Sequence, residues 1–167
     1  ALPDNVNDLE FHPTNPMIIY ATTRATFIPS TFDYFFVSTN GGATFTQMTA
    51  PIDAIAGTTQ VTVSPNNPDI AYIAAYPGGQ ADTKQGGKVM KYTQSTNTIT
   101  IVTPVTYTFP MPYWSLAGAW DFRIEVDPND ANHLFHGCVW THESFDGGAT
   151  WNLTSVPHAD VHDIKWQ

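Results

Sequence analysis

The chain has 167 residues, 42% of them hydrophobic, enough to bury a core and to exclude a disordered chain. Six basic residues against 15 acidic ones, a formal net charge of -9, leave little from which to build a phosphate-binding surface and exclude nucleic acid as a partner. Charged and aromatic residues each make up 13%, and the shortage of Glu, Lys, Arg and Leu excludes a helical bundle in favour of strands and turns.

In chain order, Ala1-Leu2-Pro3 reads as the tail of a preceding unit, and Val6-Asn7-Asp8-Leu9-Glu10-Phe11 as an alternating strand. Phe11-His12-Pro13-Thr14-Asn15-Pro16-Met17-Ile18-Ile19-Tyr20 then places a Pro/Asn turn between two apolar segments, which is a β-hairpin pattern. The same hairpin returns without gaps as Val63-Ser64-Pro65-Asn66-Asn67-Pro68-Asp69-Ile70-Ala71-Tyr72. It returns again as Val126-Asp127-Pro128-Asn129-Asp130-Ala131-Asn132-His133-Leu134-Phe135. The shared proline stands at positions 13, 65 and 128, spacings of 52 and 63 residues. A blade of four short strands needs about 40 to 50 residues, so each copy has room for one blade and loop insertions.

A second motif follows the hairpin in two copies. Ser38-Thr39-Asn40-Gly41-Gly42-Ala43-Thr44-Phe45 matches Ser144-Phe145-Asp146-Gly147-Gly148-Ala149-Thr150-Trp151 in its Ser, Gly-Gly, Ala-Thr and final aromatic. The middle copy, Tyr92-Thr93-Gln94-Ser95-Thr96-Asn97-Thr98-Ile99, keeps strand, turn and strand and loses the glycines.

Ser-x-Asp-Gly-Gly-x-Thr-Trp resembles the Asp-box of sialidase-like (BNR) repeats. Behind an x-Pro-x-Asn-Pro hairpin it is similar to the β-propeller repeats of sortilin-type (VPS10) receptors, family 74 xyloglucanases and related secreted bacterial proteins. The resemblance implies an all-β partial propeller of about three four-stranded antiparallel blades, at about 6–50, 57–104 and 120–155. A fourth blade would start at about 161, within a single segment of a larger propeller. It also implies that Ser38, Asn40, Gly41, Gly42, Phe45, Ser144, Asp146, Gly147, Gly148 and Trp151 are structural residues of outer hairpins. Asn40 and Phe45 depart from the pattern, where the box has Asp and Trp.

In that topology the three long insertions, Thr23 to Asp33, Tyr76 to Lys88 and Ile101 to Ala119, fall on one face. Loops that vary on a rigid scaffold commonly carry binding. The most aromatic insertion, Tyr107-Thr108-Phe109-Pro110-Met111-Pro112-Tyr113-Trp114, carries no charge, so Tyr107, Phe109, Tyr113 and Trp114 suit stacking on sugar rings or anchoring a protein. His158, Asp160 and His162 alternate along an extended segment, a spacing suited to ligand contact, to metal ligation or to acid/base work; neither a metal nor another cofactor is expected. Three residues before the end of each first strand stand Asp8, Gln60, Arg123 and Asp163, a polar ring for a central channel, with Arg123 a further ligand contact.

The expected function is an extracellular or cell-surface scaffold that binds glycan or protein. The alternative is part of a glycoside hydrolase, for which Asp121, Asp160 and Asp163 would supply the two carboxylates. A sialidase is disfavoured by arithmetic, since that family needs three arginines for the sialic carboxylate and this sequence has Arg24 and Arg123. Cys138 is the single cysteine, so no intrachain disulfide forms, and no apolar run is long enough to span a bilayer. Asn152-Leu153-Thr154 matches a glycosylation sequon that a chance occurrence explains.

Overall fold

A computed structural model describes residues 2, 6–23, 35–48, 57–77, 88–103, 123–137, 141–154, 161 and 163–166. The described residues form three four-stranded antiparallel sheets, each built from consecutive strands. The first holds β1 (Val6–Phe11), β2 (Ile19–Thr23), β3 (Phe35–Ser38) and β4 (Thr46–Gln47). The second holds β5 (Gly57–Val63), β6 (Ile70–Pro77), β7 (Lys88–Thr93) and β8 (Thr98–Ile101). The third holds β9 (Arg123–Asp127), β10 (Asp130–Gly137), β11 (Thr141–Ser144) and β12 (Asn152–Leu153). No described residue is helical.

The repeated hairpin joins the first two strands of every sheet, pairing Phe11 with Ile19, Val63 with Ala71, and Val126 with Leu134. One contact recurs in all three. The carbonyl of the seventh residue of each hairpin copy, Met17, Asp69 or Asn132, accepts a backbone hydrogen bond from the turn after the third strand: Gly41 at 2.8 Å, Gln94 at 2.9 Å and Gly147 at 2.9 Å. Three stretches of different sequence thus close the same way, because the contact uses main-chain groups alone.

The sheets stack face to face, and the alternation of strand side chains divides the core between them. On β6, Ala71, Ile73 and Ala75 face the first sheet, against Ile18, Tyr20, Phe35 and Val37, with Val61, Met90 and Tyr92 on the same side. Tyr72 and Ala74 face the third sheet, meeting Val89, Ile124, Val126, Leu134 and Trp151. A strand covered on both faces must be apolar throughout, and so Ile70-Ala71-Tyr72-Ile73-Ala74-Ala75 carries no charge. Its alanines let the sheets approach. Tyr20, Phe35 and Tyr92 close the first junction as a ring cluster with centroids 5.2 to 5.9 Å apart.

Strands β1, β5 and β9 lie next to one another across the junctions, which makes them the inner strands of radially arranged blades. Asn7 Nδ2 donates to the Thr59 carbonyl (2.7 Å), and Val126 N donates to Thr62 Oγ1 (3.3 Å). Thr22 Oγ1 also donates to the Thr59 carbonyl at 3.0 Å, and Thr59 Oγ1 donates to the Thr23 carbonyl. This architecture is a partial β-propeller.

Residues 163–166 lie against the third blade without pairing into a ladder among the described residues, although the sequence reads there as a further inner strand. Their contacts are made by side chains. A Cβ placed on Gly137 would sit 2.6 Å from Val161 Cγ1 and 3.0 Å from Ile164 Cδ1, so only glycine admits this approach.

Candidate functional site

The inner strands bring together more carboxylates than the polar ring alone predicts. Asp8 Oδ2 on β1 accepts from Val61 N on β5 (3.0 Å), while Oδ1 accepts from Leu9 N (3.0 Å), so this side chain ties the first two blades. On β9, Glu125 Oε2 accepts from Thr62 Oγ1 of β5 (3.3 Å). Thr62 in turn accepts from Val126 N, which sets up a hydroxyl relay between the second and third blades.

Burial raises the pKa of three inner-strand acids, Asp8, Glu10 and Glu125. Asp8 is raised by desolvation, against the hydrogen bonds from Val61 and Leu9 and the positive charge of Arg123. Glu10 rises to about 6 through burial and the charge of Asp8. Glu125 rises to about 7 through burial, opposed by the Thr62 hydrogen bond and reinforced by the charges of Glu10, Asp8 and Asp163. These charges act on one another across the inner face of the molecule. A carboxyl group titrating near neutrality can donate a hydrogen bond when protonated and accept one when ionised, the property required of a general acid or of a polar recognition group.

Arg123 and Asp163, both named from sequence, belong to this group: Arg123 through its charge on Asp8, Asp163 through its charge on Glu125. Asp163 also forms an exposed ion pair with Lys165 at 3.4 Å. Tyr107, Phe109, Tyr113, Trp114, Asp121, His158, Asp160 and His162 lie outside the described residues. Glu10 and Glu125 were missed, yet their signal stood in the same repeat: the position just before Phe11, Val63, Val126 and Trp166 holds Glu10, Thr62, Glu125 and Lys165, polar in every copy.

The two Gly-Gly turns sit between outer strands, away from this group. In the third blade, Asp146 Oδ1 accepts from Ser144 Oγ (2.9 Å) and Thr150 N (2.8 Å), and Oδ2 accepts from Thr150 Oγ1 (2.6 Å). In the first, Asn40 Oδ1 accepts from Ser38 Oγ and Thr44 N, both at 2.9 Å, while Nδ2 donates to Thr44 Oγ1 at 2.7 Å. The threonine hydroxyl reverses its role, which is how an amide occupies the place of a carboxylate. Ser38 Oγ and Ser144 Oγ each accept from the second glycine at 2.9 Å. All four glycines have positive φ, between 68° and 91°. In the second blade a four-residue turn closed by Asn97 at φ 52° does the same work, and Tyr92 Oη donates to Asn97 Oδ1 (2.9 Å). Trp151 is buried between the second and third blades and donates Nε1–H to the Gly148 carbonyl (2.9 Å), whereas Phe45 is half-buried.

Two further histidines pair across β10 and β11. His136 stands opposite His142, both are buried, and His136 meets the Trp151 ring edge-on at 6.0 Å. Desolvation pushes His136 down to about 3, aided by the charge of His142, and pushes His142 to about 4, so both are neutral at physiological pH. Among the described residues no group of three or more His, Cys, Asp or Glu could hold a metal ion. No helix among them is long and apolar enough to cross a membrane.

Neither a known protein-family profile nor a curated protein matches the chain. Solved structures do. A GH74 enzyme from Niastella koreensis aligns over 89% of this chain and 22% of its own at 22% identity and TM-score 0.60. The GH74 xyloglucanase from Xanthomonas campestris aligns over 89% and 21% at 15% identity and TM-score 0.58. YCF48 bound to D1 peptide aligns over 89% and 40% at 12% identity and TM-score 0.55. The shared property is the β-propeller fold, and the chain spans well under half the length of these proteins.

Proposed function

We propose that this chain is part of a larger, extracellular or cell-surface β-propeller of the Asp-box type that binds a glycan or protein segment at its inner strands. The observation that carries the reading is the group formed by Asp8, Glu10, Arg123, Glu125 and Asp163, contributed by separate inner strands and by the segment at 163–166, with two acids titrating near neutrality. A polyhydroxylated or peptide ligand offers such a group both donors and acceptors. The aromatic insertion Tyr107, Phe109, Tyr113 and Trp114, with His158, Asp160 and His162, supplies stacking and polar contacts on the same reading. The solved relatives give precedents for both ligand classes, one named a xyloglucanase and one bound to a peptide. The exposed apolar residues of β1, Leu9 at 42% and Phe11 at 55%, support a further blade against the first one. The blade limits of about 6–50, 57–104 and 120–155, with a fourth from about 161, belong to this proposal. The extracellular placement rests on the acidic composition and the Asp-box resemblance.

The test is a glycan array and a peptide library screened with the chain, followed by titration of Glu125→Gln, Arg123→Ala and Trp114→Ala against each hit. Loss of about tenfold or more for the inner-strand variants supports the site. Unchanged affinity in folded variants removes it.

A second reading, glycoside hydrolysis, is favoured by the pKa of Glu125, raised to about 7 as a general acid requires. Asp121, Asp160 and Asp163 remain its other candidate carboxylates. Release of reducing ends from a β-glucan, lost in Glu125→Gln or Asp163→Asn, distinguishes it from binding alone.

A further inference from the structure

His133 of β10 is held on both sides by acids from neighbouring strands. Its Nδ1 lies 3.0 Å from Asp127 Oδ2 at the end of β9, and its Nε2 lies 2.8 Å from Glu143 Oε1 on β11. A neutral imidazole carries one N–H and one lone pair, so it can satisfy only one of these acceptors. The other would face it lone pair to lone pair. The geometry requires the doubly protonated ring, which donates to both and binds three strands together.

The same ring is part of an aromatic cluster. Phe145 stacks on it at 4.5 Å and 15°, Trp166 meets it at 4.9 Å and 67°, and Phe135 lies at 5.4 Å from it and 5.2 Å from Trp166. Trp166 belongs to the segment at 163–166 that lies on the third blade without ladder hydrogen bonds among the described residues. Its indole nitrogen is buried with no hydrogen-bond partner among them. Ring packing against His133 and Phe135 contributes to seating it, and a cationic ring in contact with an indole adds an attraction that a neutral one lacks.

We propose that His133 is a proton-operated latch: protonated, it holds Trp166 and the 163–166 segment on the third blade, and deprotonated, it releases them. The charged groups facing the ring are Asp127 from β9 and Glu143 from β11. From the turn after β11 and from the segment come uncharged Phe145 and Trp166. Asp163 and Lys165, the charged residues of the segment, pair with each other at 3.4 Å. Desolvation works against protonation of His133, but the hydrogen bonds and charges of Glu143 and Asp127 outweigh it and raise its pKa. The latch therefore opens on the alkaline side of the ordinary histidine range. It carries Asp163 with it and so couples proton concentration to the inner-strand group.

The test is amide hydrogen exchange of residues 161–166 in the whole chain as a function of pH, read as protection factors corrected for intrinsic exchange, beside the His133 ring resonances. Protection should fall about tenfold across the His133 titration, with the same midpoint. In Glu143→Gln and Asp127→Asn, each of which removes one acceptor charge, the midpoint should move to lower pH. In His133→Gln the protection should be low and independent of pH, with the β-sheet circular dichroism retained. Protection that does not change through the His133 titration overturns the latch, as does a pH dependence that survives in His133→Gln. Should His133→Gln not fold, the two acid variants decide, since an unmoved midpoint in both also overturns it.

Discussion

Tyr72 on β6 donates its hydroxyl hydrogen to the Ala131 carbonyl on β10 across 2.8 Å, and both residues are buried between the second and third blades. Apolar burial brings the two sheets together, and this bond fixes how far one slides along the other. Burial also raises the Tyr72 pKa to about 12, so the hydroxyl remains a donor at any ordinary pH. Tyr72→Phe leaves a buried carbonyl unsatisfied and should lower stability by about 1–2 kcal/mol. Urea denaturation checks it, and an unchanged midpoint would show that water or another donor replaces the hydroxyl.

The glycines of the outer turns should not be equivalent. A Cβ on Gly148, at φ 91°, would lie 3.0 Å from Val102 Cγ2 and 3.5 Å from Leu134 Cδ1 in the second junction. One on Gly41, at φ 68°, would meet only the Met17 side chain at 3.4 Å, and Met17 is half exposed and free to move. Gly148→Ala should therefore cost about 2–3 kcal/mol, whereas Gly41→Ala should cost about 1 kcal/mol for backbone conformation alone. Thermal melts of the two single variants suffice, and equal losses would remove the packing difference.

The aromatics that end the two matching turns should also differ. Trp151, 7% exposed, fills the junction between the second and third blades, so Trp151→Ala should lower stability by about 3–5 kcal/mol. Phe45 is half-buried, and Phe45→Ala should cost well under half as much. Similar losses in urea denaturation would count against the contrast.

The difference between Phe45 and Trp151 marks where sequence legibility ends. The hairpins are readable because Pro13, Pro65 and Pro128 and their Asn/Asp neighbours act through local backbone preferences that repeat with the chain. Burial of the following aromatics depends on which sheet lies opposite, and a repeat alignment holds no such information. Glu10 and Glu125 are a related case. Their polarity was visible, but their raised pKa arises first from burial, which depends on the neighbouring strands, and then from the charge of Asp8 on Glu10 and of Glu10, Asp8 and Asp163 on Glu125. His133 lies inside the third hairpin copy, and its role is not legible there, since Asp127 and Glu143 meet it only once β9 and β11 flank β10.

The buried pair His136 and His142 should make the fold acid-sensitive. Both are neutral in the folded chain down to about pH 4, whereas in the unfolded chain each binds a proton below about pH 6.5. Between those limits the unfolded state binds more protons, so stability falls as pH drops from about 6.5 towards 4. His142→Gln should flatten that slope, and urea midpoints collected at half-unit pH steps will show it. A slope identical to that of the parent chain would argue that His142 is already charged in the fold.

Glu125 should act in the opposite direction. Its folded pKa of about 7 lies above the ordinary value of 4.5, so between these limits the folded chain holds a proton that the unfolded chain has released. Stability contributed by this group is therefore full below about pH 4.5 and is lost as pH rises through 7. Glu125→Gln keeps a hydrogen-bonding side chain beside Thr62 and removes the charge that Asp8, Glu10 and Asp163 repel. The variant should be more stable than the parent at pH 8 by about 1 kcal/mol after solvent screening, and nearly equal to it at pH 4. Ligand affinity should move the other way if Glu125 is a recognition group, since a residue kept at a cost to stability is expected where binding uses it. A variant that gains stability at pH 8 and binds as the parent does would place Glu125 outside the recognition surface. A variant with no gain at pH 8 would mean that its carboxylate is better solvated than its place beside Thr62 implies.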